Sequence, residues 1–118
     1  MLLTPLELDI MKAVWQRSPI TVKDVQFAIR PKRHLAYTTV MTTMNRLYLK
    51  GFLSRTLRSK AHFYEAAISF AAAREAALDD LVEGFFIGSR EVLADFLSDR
   101  SITIEPLKRP SGLDESLL

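Results

Sequence analysis

The 118-residue chain contains no cysteine, which excludes disulfide scaffolds, thiolate metal centres and redox switching. Apolar residues make up 48% and charged residues 25%, the balance of a globular protein with a core rather than a disordered one. The net charge of +2 hides an asymmetry: residues 1–66 carry 11 Lys/Arg against 4 Asp/Glu, a net +7, and residues 67–118 carry 5 against 10, a net −5, so only the front half suits a polyanion.

Met1-Leu2-Leu3-Thr4-Pro5 lacks the basic region and apolar run of a signal peptide, and no stretch approaches the roughly 18 apolar residues of a membrane span. A cytoplasmic protein with no membrane partner is expected. Thr4-Pro5-Leu6-Glu7 places a capping Thr, a Pro at the first helical position and a Glu three residues after the cap, which together start a helix. The pattern predicts it over residues 5–17, with Leu6, Ile10, Met11, Val14 and Trp15 as its apolar stripe and Ser18-Pro19 as its stop. Thr21 and Asp24 repeat the capping signal. Val22, Val25, Ala28 and Ile29 form the buried stripe of this second helix, which ends near Arg30, and Pro31-Lys32-Arg33-His34 is a short basic linker.

The third helix is the most informative. Wound at 3.6 residues per turn, Val40, Met44 and Leu47 share an arc widened by Tyr37, Met41 and Tyr48, while Thr38, Thr39, Thr42, Thr43, Asn45, Arg46 and Lys50 fill the other side. Threonine is a mediocre helix former because its branched Cβ restricts χ1, so four of them here are not explained by helix stability. Hydroxyls that donate or accept, methyls that touch thymine, and an Arg able to bond guanine O6 and N7 make a base-reading surface. Leu49 interrupts the polar side and is assigned to packing against the next element. Gly51 closes the helix.

After Gly51 the period changes to that of two strands, Phe52–Arg58 and Ala61–Ala66, joined by a Ser59-Lys60 turn into a β-hairpin with cations about its tip. Ser69 caps a fourth helix running to about Ile87, with Leu78, Leu81, Val82, Phe85 and Phe86 as its stripe. Gly88-Ser89 breaks it and caps a short helix with Val92, Leu93, Phe96 and Leu97. From Ser101 no period remains. Pro106–Leu118 is expected to be a poorly ordered tail, with one short strand conceivable at Ile102–Ile104.

Three helices followed by a hairpin give the order of a winged helix-turn-helix, whose third helix enters the major groove and whose hairpin is the wing. The expected fold is therefore mainly α with a small β-hairpin: a winged-helix DNA-binding domain over 1–67, a helical dimerisation region over 68–100 and an irregular tail over 101–118. Thr39, Thr42, Thr43 and Arg46 face base edges and Thr38 reaches a phosphate. Lys32, Arg33, Arg55, Arg58 and Lys60 lie over the DNA backbone, giving affinity without sequence information. The apolar surplus of Leu78, Leu81, Val82, Phe85, Phe86, Leu93 and Phe96 exceeds what one domain buries and points to a twofold dimer, which doubles the base contacts.

The runs Leu3–Trp15, Thr21–Val25 and Ala36–Leu47 resemble the penicillinase repressor family, with the likeness spanning about residues 3–98 and strongest in the third helix. The resemblance implies a homodimeric winged-helix transcriptional repressor bound to a palindromic operator, with Thr39, Thr42 and Arg46 matching recurrent positions of the family's reading helix. Its antibiotic-responsive branch adds antibiotic resistance as a context and a sensor protease as a candidate partner. Its copper-responsive branch carries a Cys-containing motif that this chain lacks.

Other chemistry finds little support. His34 and His62 lack acidic neighbours at metal-ligand spacing, Asp79-Asp80 with Glu75 and Glu83 reads as a solvated face, and no Gly-rich phosphate loop or nucleophile elbow occurs. Neither a cofactor, a metal nor an enzymatic activity is expected. The competing reading, a winged helix that serves only as a protein-interaction module, conflicts with the +7 front half.

Overall fold

A computed structural model of the chain describes residues 2–103, with side chains from residue 2 to residue 99. The elements follow as α1 (Pro5–Gln16), α2 (Val22–Ala28), α3 (Tyr37–Leu49), β1 (Leu53–Arg58), β2 (Ala61–Ala66), α4 (Phe70–Phe85) and α5 (Arg90–Thr103). The fold is mainly helical with one two-stranded antiparallel hairpin, as expected.

Local chemistry explains most boundaries. Thr4 Oγ1 accepts from the Glu7 N–H at 3.1 Å and Glu7 Oε1 accepts from the Thr4 N–H at 2.9 Å. Thr21 and Asp24 form the same reciprocal pair at 3.1 and 3.3 Å, so both helices begin with donors satisfied. Gly51, at φ +89°, takes the left-handed conformation that ends α3. The hairpin pairs Leu53 with Ala66 through to Arg58 with Ala61. Its turn residues Ser59 and Lys60 both have positive φ, 49° and 70°, the backbone that matches a two-residue loop to strand twist.

Ile20 bridges to Tyr64 through paired backbone hydrogen bonds of 3.0 and 2.8 Å, fastening the segment before α2 to the wing. The core collects Ile10, Met11 and Val14 from α1, Val22, Val25 and Ile29 from α2 and its end, and Val40, Met44 and Leu47 from α3, closed by Ile20, Phe52, Leu53 and Tyr64. Ala28 is exposed instead of joining the stripe. The arc of α3 is also narrower than expected, since Tyr37, Met41 and Tyr48 are 46%, 41% and 36% exposed.

The indole N–H of Trp15 donates to the Ile68 carbonyl at 2.9 Å, and its ring meets Phe70 edge-on at 5.2 Å. These contacts hold the first turns of α4 in the first compact unit, which ends at Ala77, while a second unit begins at Leu78. In the second unit Ser89 Oγ caps α5 by accepting from the Val92 N–H at 3.2 Å, Arg90 pairs with Asp79 at 2.6 Å, and Phe86 packs on Phe96 at 5.4 Å. Helix α5 includes Ile102 and Thr103, so these residues form no strand and the helix passes the expected boundary at 100; the rest of the expected tail lies outside the described residues. No helix among the described residues is long and apolar enough to cross a membrane.

Candidate nucleic-acid interface

Helix α3 is anchored by Val40, Met44 and Leu47, each fully buried. With that face fixed, Thr38, Thr39, Thr42, Asn45 and Arg46 are left exposed. Thr38, Thr39, Thr42, Thr43 and Arg46 border one shallow depression. Thr43 departs from the expectation: it is only 4% exposed, and its hydroxyl donates back to the Thr39 carbonyl at 2.9 Å. It lies one step too far round the helix, against the core, to present that hydroxyl to a base edge.

The linker cations are engaged within the chain. Arg33 Nε donates to Asp9 Oδ2 at 2.6 Å and Lys32 Nζ reaches Asp9 Oδ1 at 3.4 Å. The Arg33 guanidinium, aided by Lys32, holds the Asp9 carboxyl below its ordinary range against the opposing effect of burial. Arg33 is therefore tied to α1, whereas Lys32, 69% exposed, keeps most of its side chain in solvent.

Arg55 is engaged as well. Its guanidinium stands 4.0 Å from the Tyr48 ring centroid, and Nη1 donates to Asn45 Oδ1 at 3.0 Å, which directs it towards α3. Arg58, over Phe63 at 5.6 Å, and Lys60 remain exposed on the wing. Leu49, expected to pack against the wing, is 73% exposed.

Composition alone did not single out several neighbours. A groove between α2, the start of α3 and the wing tip brings together Thr21, Lys23, Tyr37, Lys60 and His62, joining residues distant in sequence. At the end of α3, Lys50 Nζ donates to Glu7 Oε2 at 2.9 Å, with Glu7 1% exposed. Burial pushes the Glu7 carboxyl up, but the Thr4 N–H and the Lys50 ammonium more than offset this and hold it below its ordinary value. Lys50 is thus a clamp between the end of α3 and the start of α1.

Of the residues expected at a dimer interface, Leu81, Phe85 and Phe96 are 42%, 80% and 45% exposed, and Leu78, Phe86 and Leu93 are half-buried. Val82 is 4% exposed, packed within its own chain. Ile87, Val92 and Leu97, at 85%, 38% and 54%, extend the exposed apolar surface beyond the expected set.

The sequence profile of penicillinase repressors matches residues 3–109. A transcriptional regulator BlaI from Mycobacterium tuberculosis (strain ATCC 25618 / H37Rv) is 32% identical over 112 residues, covering 94% of this chain and 75% of that protein. An uncharacterized 16.5 kDa protein from Latilactobacillus sakei is 30% identical over 81 residues, covering 69% of this chain and 56% of that one. Among solved structures, the monomeric form of Bacillus licheniformis BlaI in complex with the blaP half-operator aligns with a TM-score of 0.52 at 24% identity, over 61% of this chain and 88% of that chain. The DNA-binding domain of the repressor BlaI aligns with a TM-score of 0.54 at 24% identity, over 59% and 85%. These structural likenesses establish the winged-helix fold of the front unit.

Proposed function

Because this chain belongs to the penicillinase repressor family, we propose that it occupies a palindromic operator as a homodimer and represses by blocking the promoter. It is a DNA-binding transcriptional repressor. The observation that carries the finer reading is the exposed face of α3, where Thr38, Thr39, Thr42 and Arg46 border one depression while the opposite face is locked in the core. In the major groove, Thr39, Thr42 and Arg46 read base edges, Arg46 best matching a guanine, and Leu49 offers apolar surface to a thymine methyl. Thr38, Lys32, Arg58 and Lys60 contact phosphates, fixing register without sequence preference.

Pairing of two copies is supported by the exposed apolar surface around Phe85, Ile87 and Leu97, since exposed apolar patches mark partner surfaces. Two half-sites about one helical turn apart then multiply weak single-domain contacts into a specific complex. The protein acts in the cytoplasm by occupancy, not catalysis, and a sensor protease is the partner to test for release in an antibiotic-resistance context. Selection of bound fragments from random DNA tests the reading: a twofold-symmetric motif supports it, and a half-site without symmetry removes the dimeric operator.

A further inference from the structure

A mostly apolar pocket of the first unit lies away from the exposed threonines of α3, between α1, the end of α3 and the first turns of α4. It is a cavity of about 480 Å³ walled by Leu3, Leu8, Trp15, Phe52, Ile68 and Phe70. That volume is within the range of small-molecule sites, which are mostly apolar with a few polar groups that fix orientation. The charged residues bordering it are Lys12, Lys50 and Arg74; no carboxylate lines it. Lys50 is already bound to Glu7. Lys12 is exposed, and neither it nor Arg74 has an ion-pair partner among the described residues.

We propose that this cavity binds an amphipathic organic anion, an apolar body with a single carboxylate, whose chain lies against Trp15, Phe52 and Phe70 and whose head meets Lys12 and Arg74. Apolar walls alone accept a neutral molecule equally well. The uniformly cationic rim selects the anion, since an unpaired ammonium or guanidinium at a cleft mouth gains a charge-assisted hydrogen bond from a carboxylate. The wall also includes Lys50, Gly51 and Phe52, so a bound anion touches the end of the helix that presents Thr42 and Arg46. This site goes beyond the DNA-binding reading, and its occupancy can be read without DNA.

The chain has a single tryptophan, and it lines the cavity. Trp15 emission of the full chain is therefore titrated with decanoate and, separately, with decanol, both below their aggregation limits. A saturable change with decanoate, about tenfold weaker with decanol, is expected, a tenfold difference being about 1.4 kcal/mol. Lys12→Gln/Arg74→Gln should bring decanoate down to the decanol level with unchanged circular dichroism, because both side chains are outside the core. Ala73→Leu, which fills the space from α4, should weaken both ligands. No saturable change with either ligand would overturn the proposal, as would equal affinity for both in the native chain. Decanoate binding that disappears as chain concentration rises would also overturn it, assigning the cavity to a second copy.

Discussion

Arg55 on β1 holds its guanidinium 4.0 Å from the ring centroid of Tyr48 on α3. With the hydrogen bond to Asn45, this ties the wing to α3. A cation–π contact at an exposed site contributes about 0.5–1 kcal/mol. Arg55→Ala is expected to lower stability by that amount in urea unfolding and to weaken operator binding without changing which sequence is preferred. Arg55→Lys keeps the charge but loses the planar fork, so it should recover little. Full recovery by lysine would make Arg55 an ordinary phosphate contact.

Thr42 and Thr43 are adjacent in sequence, but Thr42 is exposed and Thr43 is buried. Thr43→Val removes a hydroxyl already spent on the Thr39 carbonyl and should leave operator affinity within about threefold, a change below about 1 kcal/mol. Thr42→Val, at an exposed position, should alter base preference in the half-site. Competition binding against singly substituted operators measures both, and the reverse pattern would invert the assignment.

The pair of Glu7 and Lys50 joins the start of α1 to the end of α3. Breaking a buried pair costs about 3–5 kcal/mol; Lys50 is 30% exposed, so Lys50→Met is expected at the lower end of that range. Glu7→Gln/Lys50→Met should recover part of the loss. The carboxyls of Glu7 and Asp9 are both held below their ordinary values in the folded chain. The unfolded chain therefore binds protons first as pH falls. Their stabilisation is present above about pH 4.5, the unfolded range, and is lost as pH drops through the depressed folded values. Urea midpoints measured from pH 6 down to pH 3 check the sign; Glu7→Gln should show a shallower fall.

Phe85 is 80% exposed in the single chain, so replacing it costs little within the protomer. Phe85→Asp is expected to give monomers in sedimentation and to weaken binding to a full operator far more than to a half-site. An unchanged dimer would take this residue out of the interface.

The elements set by neighbours in sequence were legible before the fold. Both capping boxes, the Gly51 stop, the Ser59-Lys60 turn and the Ser69 and Ser89 caps depend on residues within a few positions of each other. What was not legible depends on pairing across the chain. Asp9 meets Arg33 and Lys32 across 24 and 23 positions and Glu7 meets Lys50 across 43, so a count of cations cannot tell which are already neutralised. Thr43 failed for another reason. It sits at the margin between buried and exposed arcs, where helical periodicity alone does not decide the side. Tyr37, Met41 and Tyr48, apolar by composition, occupy the opposite margin and remain partly in solvent.

In the proposed complex the exposed face of α3 reads DNA sequence, with Arg46 its most discriminating residue. The most direct test selects bound fragments from one random pool with the native chain and with Arg46→Ala in parallel. A twofold-symmetric motif is expected for the native chain, with a guanine in each half-site whose preference is lost in the variant, a discrimination of about 1–3 kcal/mol per base pair. The same motif from both proteins, or no motif from the native chain, would contradict it.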